Sequence, residues 1–419
     1  MKINKILVGV MAVFVSMIAM AANPTISNVT VKQQWPWSRL VNIDYVLTCD
    51  PEQSIDIILE AYDGSSRLVL PLDSFSGDLF GVSGGARRIV WDPTKTAYAD
   101  KGVVLEFRVE LTPMLEPLYM IVDLTKSAGE TGQTEYVYEA DITNGLWGAW
   151  VRNPVTNDGT VVESVVWTGV TTNDIYRTDK LVLRRIPAGT FTMGWKTTAV
   201  GVTLSQGLYA GIYQVTQAQW ENVMGTNPSY FNSVSNPVER VSYDIVRGAT
   251  NSVPAIDWPG TGAAVLSSSF MGVLRAKTLT GFDLPTAAQW EYVCRARTTT
   301  YHNNGRTDGS AENFYFRDEW GWVTGNSGNM THPVGQKAPN AWGLYDMHGN
   351  VNEWCLDWFA ATLSGGSDPD GPELGTQRVM RGGRYSHSET TCHSALHLGN
   401  YPYLTNQSGL GFRLVITLP

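Results

Sequence analysis

The sequence is poor in charged residues, and this shortage limits the partners it can have. Only 16% of its 419 residues are charged, against about 25% in an average soluble protein. Acidic residues outnumber basic ones, 39 to 30, which gives a net charge of −9. No stretch collects lysine and arginine into the basic surface that binding to a phosphate backbone requires. We therefore exclude nucleic acid as a partner.

Cysteine is equally scarce. The chain has four cysteines, Cys49, Cys294, Cys355 and Cys392, too few to form a disulfide scaffold in a chain of this length. None of them form the C-x-x-C pair typical of a structural zinc site. Cys355 lies among aromatic residues in EWCLDW, where a buried, inert thiol is expected.

Long apolar runs are absent after the first twenty or so residues. Lys2 and Lys5 precede an apolar run at 6–20, and Ala19-Met20-Ala21 places small residues at a cleavage site. The run is short for a membrane-spanning helix. We predict a removable signal peptide at 1–21 and an exported protein, whether secreted, periplasmic or on the cell surface, with no transmembrane segment after removal. A retained envelope tether stays open.

The mature chain is long enough for two or three domains. Residues 22–112 predict an all-β sandwich of immunoglobulin or fibronectin type, because β-branched and aromatic residues alternate between turn-rich clusters. Residues 113–178 predict a connector with short strands, too apolar to be a free linker. Residues 179–419 form one large domain. The alternating stretches are 40–47, 54–63, 87–93 and 103–112.

One short pattern occurs twice, as TQAQWENV at 216–223 and TAAQWEYV at 286–293. Each copy begins with threonine and has glutamine three residues later, which predicts a helix with a capping box. Gly225 is expected to end the first helix. We predict that both helices pack against one shared core and serve as scaffold.

Four segments in the second half of the chain share an order with a known family. They resemble the sulfatase-modifying factor family, the formylglycine-generating enzymes and their relatives, over about 240 residues. The resemblance implies an α+β, C-type-lectin-like domain with little regular structure, in which two helices brace a small antiparallel sheet. The segments are LPTAAQWEYVCRA (284–296), NAWGLYDMHGNVNEWCLDW (340–358), RVMRGGRY (378–385) and LGFRLV (410–415).

The segment YDMHGNVNEW at 345–354 offers carboxylates and a sharp turn that exposes carbonyl oxygens, ligands suited to calcium. The resemblance implies a structural calcium ion here. It also implies a second calcium site that begins at Asn313 and Phe314. The implied ligands of the first site are Asp346, the carbonyls of Gly349 and Val351, and Glu353.

The resemblance also implies an oxidase site, and here the sequence departs from the family. Formylglycine-generating enzymes oxidise a sulfatase cysteine with oxygen and copper(I), using two cysteines five residues apart after a Gly-Gly-Ser turn. In this chain Arg384 stands at the serine position, His387 at the first cysteine position and Cys392 at the second. One thiolate cannot supply two sulfur ligands to copper(I). We therefore predict a non-catalytic, lectin-like binding or scaffold domain without copper, whose ligand is an unknown protein or glycan.

Two alternatives stay open. The chain is a formylglycine-generating oxidase in which Cys392 is catalytic, or a metalloenzyme of another kind that uses His387, Cys392 and His393. Relatives also imply a disulfide between Cys392 and Cys294, which an oxidising compartment permits.

Other residues near these motifs have structural or binding interpretations. Arg381 and Arg413 are expected to hold carbonyls or carboxylates in the core. Tyr401, Tyr403, Trp354 and Trp358 are candidates for stacking on sugars, and core packing is the favoured interpretation.

Overall fold

The computed structural model describes residues 24–418 apart from 35–37, 50–54, 65, 69, 71–73, 97–106, 116, 139–149, 158–159, 250, 252–263 and 304–317. The predicted signal peptide and the residues Asn313 and Phe314 lie outside this described part. Among the described helices, none is long and apolar enough to cross a membrane.

The N-terminal region forms two antiparallel sheets, because its alternating residues place one apolar face on each strand. One sheet has the strand order β1-β2-β6-β5 and the other β4-β3-β7. Apolar side chains from both sheets meet in one buried cluster that includes Ile43, Ile57 and Trp91. The two sheets therefore share one apolar core, and an immunoglobulin or fibronectin-type sandwich stays a prediction for this region. The strands are β1 (Thr25–Gln33), β2 (Val41–Thr48), β3 (Ile55–Asp63), β4 (Ser66–Leu68), β5 (Phe75–Gly77), β6 (Gly85–Trp91) and β7 (Phe107–Leu115).

The predicted connector is part of the next sheet. This five-stranded antiparallel sheet has the order β21-β15-β12-β8-β9, so two connector strands pair onto the C-terminal domain. Arg185 of this sheet forms a buried salt bridge with Asp56 of the sandwich, with 2.8 Å between Nη1 and Oδ2. The strands are β8 (Tyr119–Asp123), β9 (Thr134–Val137), β12 (Lys180–Ile186), β15 (Leu208–Gly211) and β21 (Val415–Thr417); a separate hairpin joins β10 (Trp150–Asn157) and β11 (Thr160–Trp167).

Two smaller sheets and five short α-helices complete the described C-terminal domain. The sheets have the orders β13-β14-β17 and β19-β18-β16-β20. Their strands are β13 (Gly189–Met193), β14 (Val200–Leu204), β16 (Asn352–Trp358), β17 (Gly366–Ser367), β18 (Arg378–Arg381), β19 (Leu398–Asn400) and β20 (Leu410–Gly411). The helices are α1 (Ile175–Thr178), α2 (Gln217–Met224), α3 (Tyr243–Val246), α4 (Phe270–Thr278) and α5 (Ala287–Arg295).

The repeated octamers form helices α2 and α5, each with the predicted capping box. The hydroxyls of Thr216 and Thr286 each accept a hydrogen bond from the main-chain N–H three residues later. In turn, the side-chain oxygen of the glutamine at that position accepts one from the main-chain N–H of the threonine. Gly225 ends α2 in the left-handed region, at φ 71°. The prediction that both helices pack against one shared core is wrong, however. Trp220 of α2 stacks on Phe270 in one buried cluster, whereas Trp290 of α5 lies in another.

Candidate functional site

Helix α5 is tied to the glycine turn at 382–383 by a buried ionic cluster. Glu291 Oε1 accepts hydrogen bonds from Arg295 Nε at 2.8 Å and from Gly194 N at 2.7 Å, and its Oε2 accepts one from Arg381 Nη1 at 3.0 Å. Arg381 also donates to the carbonyl of Leu396 at 2.9 Å. Glu291 and Arg381 have fully buried side chains. The expected core role of Arg381 is confirmed.

The turn itself requires glycine at both positions. Gly382 has φ 87° and Gly383 has φ 76°, a region that other residues rarely adopt. A Cβ atom on Gly383 would lie 2.3 Å from Cys392 Sγ. The glycine turn therefore lies in direct contact with the thiol of Cys392.

Cys392 is fully buried, with 0% of its surface exposed. Its Sγ atom lies 3.9 Å from the carbonyl oxygen of Arg384. Burial raises the pKa of this thiol to about 12, so it stays protonated at neutral pH. A protonated thiol is a poor copper ligand and a poor nucleophile.

Arg384 and His387 stand where the resemblance implies the serine and the first cysteine of the oxidase site. The main-chain N–H of His387 donates to the carbonyl of Arg384 at 2.8 Å, and its carbonyl accepts from Thr324 N at 2.9 Å. The imidazole is half-buried, and this burial lowers the pKa of His387. Neither residue carries the hydroxyl or thiol that the family reaction uses.

The predicted disulfide is not formed, and the four described cysteines are all free thiols. Cys392 Sγ contacts Arg384, whereas Cys294 Sγ lies 3.9 Å from Nε2 of His348. His348 Nδ1 lies 2.7 Å from the carbonyl of Cys392, and Asn303 N donates to its Nε2 at 3.3 Å. The histidine therefore connects the two cysteine segments without a covalent bond.

The histidines near Cys392 do not converge on one point. His393 stacks on Tyr301 with 4.4 Å between ring centroids, and His397 packs on Phe359 at 5.0 Å. Burial lowers the pKa of His393 to about 4 and that of His397 to about 3. Within the described part of the chain, no group of three or more histidine, cysteine or acidic side chains is arranged to hold a metal. The predicted His387, Cys392 and His393 metal cluster is therefore wrong for these residues.

The predicted calcium ligands, in contrast, do surround one point. The loop turns through left-handed conformations at Asp346, Gly349 and Asn350, and a Cβ atom on Gly349 would lie 2.1 Å from the carbonyl oxygen of Trp322. This path directs the carbonyls of Asp346, Gly349 and Val351 and the carboxylate of Glu353 inward. We call these four oxygen atoms the oxygen cage.

The centre of the oxygen cage holds the side-chain nitrogen of Gln214. Its Nε2 atom lies 3.2 Å from the carbonyl oxygen of Asp346, 3.4 Å from that of Gly349 and 3.0 Å from that of Val351. It also lies 3.0 Å from Glu353 Oε1. Nothing in the sequence singled out Gln214.

The negative charge of Glu353 in the oxygen cage is already balanced by the guanidinium of Arg413. Arg413 donates from Nε to Glu353 Oε2 at 3.1 Å and from Nη2 to Oε1 at 2.9 Å, and Trp290 Nε1 donates to Oε2 at 2.7 Å. The carboxylate of Asp346 accepts from Gly335 N through Oδ2 at 2.7 Å, and its Oδ1 is buried without a hydrogen-bond partner. Burial raises the pKa of Asp346 to about 6.

This donor set does not fit a calcium ion as it stands. Calcium takes six to eight oxygen ligands at about 2.3–2.6 Å, whereas the cage offers four oxygens around an amide nitrogen. Its one carboxylate, that of Glu353, is already paired with Arg413. The first predicted calcium site is thus present as a cage, and calcium binding itself stays a prediction.

The exposed tyrosines lie on neighbouring segments at the surface. Tyr401 and Tyr403 stack with 5.7 Å between ring centroids, and Tyr403 is 62% exposed. Tyr230 is 59% exposed, with the guanidinium of Arg240 4.7 Å from its ring centroid. Main-chain hydrogen bonds from Arg240 to Gln407 and from Asp244 to Pro402 join the two segments. Core packing, the favoured interpretation, is therefore wrong for Tyr401 and Tyr403 and is confirmed for the buried Trp354 and Trp358.

Comparison with known proteins agrees with this fold and this arrangement of motifs. The family model for the sulfatase-modifying factor enzyme 1-like domain matches residues 171–418. The chain therefore belongs to the sulfatase-modifying factor family, whose domain has a C-type-lectin-like fold.

Individual relatives carry different names. The chaperone protein LppX of Paenibacillus barcinonensis is 34% identical over 235 residues, which cover 50% of this chain and 78% of LppX. The formylglycine-generating enzyme of Mus musculus is 29% identical over 277 residues, covering 54% and 73%. Among solved structures, Treponema denticola variable protein 1 is similar with a TM-score of 0.46 at 29% identity, over 57% of this chain and 96% of that one.

Proposed function

We propose that this chain is an exported, non-catalytic member of the sulfatase-modifying factor family that binds or scaffolds another protein. The observation that carries the proposal is the state of the reacting positions. Their one thiol, Cys392, is fully buried and protonated, and Arg384 and His387 replace the other two groups. The chain has the motifs that form the scaffold of the domain, but it lacks the serine and the pair of thiols that the oxidation of a cysteine by oxygen would use.

A protein is the favoured ligand class for two reasons. The surface around Tyr230, Arg240 and Tyr403 carries tyrosine and arginine, which are enriched in protein interfaces. The name of LppX, a chaperone protein, also points to a protein partner. A glycan that stacks on the tyrosine pair is the alternative.

The ligand class is tested by crosslinking in the cells that produce the protein, beside a glycan array. We expect one defined protein to be crosslinked to the wild type and lost in the double variant Tyr401→Ser, Tyr403→Ser. Leu374→Ser is the matched control, because Leu374 is an exposed apolar residue, 78% accessible, on a different loop. Binding to a glycan that the tyrosine variant abolishes would replace the protein partner with a sugar.

The oxidase alternative has a direct assay. A peptide containing Cys-x-Pro-x-Arg is incubated with the mature protein, copper(I) and oxygen, and its mass is measured. We expect no conversion of the cysteine to the aldehyde. Turnover that disappears in Cys392→Ala would overturn the non-catalytic proposal in favour of an oxidase.

A further inference from the structure

The surroundings of Gln214 demand a hydrogen-bond donor or a cation. Four oxygen atoms converge on its side chain from Asp346, Gly349, Val351 and Glu353. All four are acceptors, since three are main-chain carbonyls and the fourth belongs to a carboxylate. Oxygens so arranged repel one another unless something positive lies between them.

A primary amide meets this demand with its nitrogen. Its two N–H bonds satisfy the two nearest acceptors, Val351 O and Glu353 Oε1, both at 3.0 Å. The opposite orientation would place the amide oxygen against four other acceptors. Because the two ends of an amide are assigned from their hydrogen bonds, the network places the nitrogen of Gln214 inward.

The position of Gln214 in the chain explains how one side chain closes the cage. It lies between strand β15 and helix α2 and is completely buried. The loop it holds is more than 130 residues further along the chain. By bonding to Val351 O and Glu353 Oε1, with the carbonyl oxygen of Asp346 3.2 Å from the same nitrogen, the amide fixes a segment that has little regular structure of its own.

We propose that the amide of Gln214 takes the place of the calcium ion that the family resemblance implies, so that this chain holds its 345–354 loop without metal. A calcium ion would have to displace the amide nitrogen, and would add two positive charges beside the Arg413–Glu353 pair. The amide is a neutral hydrogen-bond donor supplied by the chain itself, and it makes the conformation of the 345–354 loop independent of calcium.

The first test uses the wild-type protein. Its metal content is measured after purification without chelator, and its thermal unfolding is followed in EDTA and in millimolar calcium. We expect well below one calcium ion per chain and the same Tm in both solutions. One calcium ion per chain that survives dialysis in the wild type but not in the variant Glu353→Gln would overturn the proposal, because that ion would lie in the oxygen cage. A Tm that EDTA lowers and calcium restores in the wild type but not in Glu353→Gln would overturn it in the same way.

The second test is the variant Gln214→Glu, which exchanges the inward donor for a carboxylate. Five oxygens would then face one another, so we expect a lower Tm in EDTA and an increase in Tm that grows with calcium concentration. An unchanged Tm in EDTA would overturn the proposal, since the donor would then be dispensable. If the variant does not fold, the wild-type measurements decide.

Gln217→Glu is the matched control. Gln217 is also fully buried, and its Nε2 donates to main-chain carbonyls, that of Phe231 at 2.7 Å and that of Pro237 at 3.4 Å, rather than to a carboxylate. We expect this variant to lose stability without any response to calcium. A calcium response equal to that of Gln214→Glu would show that the effect is unspecific and would overturn the assignment.

Discussion

The two copies of the octamer permit a controlled test of the ionic cluster on helix α5. Glu291 and Glu221 occupy the same position in the two copies, yet Glu291 is fully buried and Glu221 is exposed. Glu291→Gln removes the negative charge that lies between Arg295 and Arg381 and keeps nearly the same shape. Glu221→Gln makes the same chemical change in solvent.

The expected magnitudes differ because of burial. Removing one partner of a buried ion pair costs about 3–5 kcal/mol, since the remaining charges lie uncompensated in the core. Two arginines are left uncompensated here, one of which, Arg381, is completely buried. The exposed substitution should stay within about 0.5 kcal/mol. For a domain of this size the buried change corresponds to a Tm lower by on the order of 10 °C.

The assay is thermal unfolding followed by circular dichroism, with both variants compared with the wild type at one pH and salt concentration. The near-ultraviolet spectrum at low temperature shows whether each variant has the native packing of its aromatic residues. A Glu291→Gln variant that unfolds within a degree of Glu221→Gln would refute the account of α5 as an ionic anchor for the glycine turn.

Two further predictions concern the same region. Gly383→Ala should lower the free energy of unfolding by about 2–4 kcal/mol, because it combines left-handed strain with a Cβ contact on Cys392. Gly225→Ala, with φ 71° and open space around it, should lower it only by the strain. Equal losses of stability in urea unfolding would contradict the close contact. Burial raises the pKa of Asp357 to about 7, so its protonated form favours the folded state and this contribution is lost as pH rises from about 4 to 7. The free energy of unfolding of Asp357→Asn should therefore depend less on pH across that window, and an unchanged slope would contradict the buried environment.

Local signals predicted the helices well. The capping boxes at Thr216 and Thr286 depend on contacts within three residues, so a short stretch of sequence contains all the information that they need. The left-handed stop at Gly225 is local in the same way. The burial of Glu291 in the second octamer, in contrast, depends on distant parts of the sequence, because Arg381 and Gly194 approach it from other elements.

At the candidate site, too, local features were predictable from the sequence and long-range contacts were not. The resemblance implied Asp346, Gly349, Val351 and Glu353 as ligands of one ion, which stays a prediction. The structure brings one oxygen of each residue to one point, because the turn is a property of the loop. It did not reveal that Gln214 fills that point, since the amide comes from a segment far away in the sequence. The expected disulfide came from the resemblance to relatives, and the structure instead places His348 between the segments of Cys294 and Cys392.

The central claim is that the thiol of Cys392 is buried and inaccessible to reagents in the folded protein. Alkylation of the native protein tests this claim most directly. The folded protein is treated with iodoacetamide, and the modified cysteines are identified by mass spectrometry. Cys49, which is partly exposed, is the internal positive control. The account predicts that Cys49 is modified while Cys392 reacts only after unfolding. Modification of Cys392 in the folded protein as fast as that of Cys49 would contradict it.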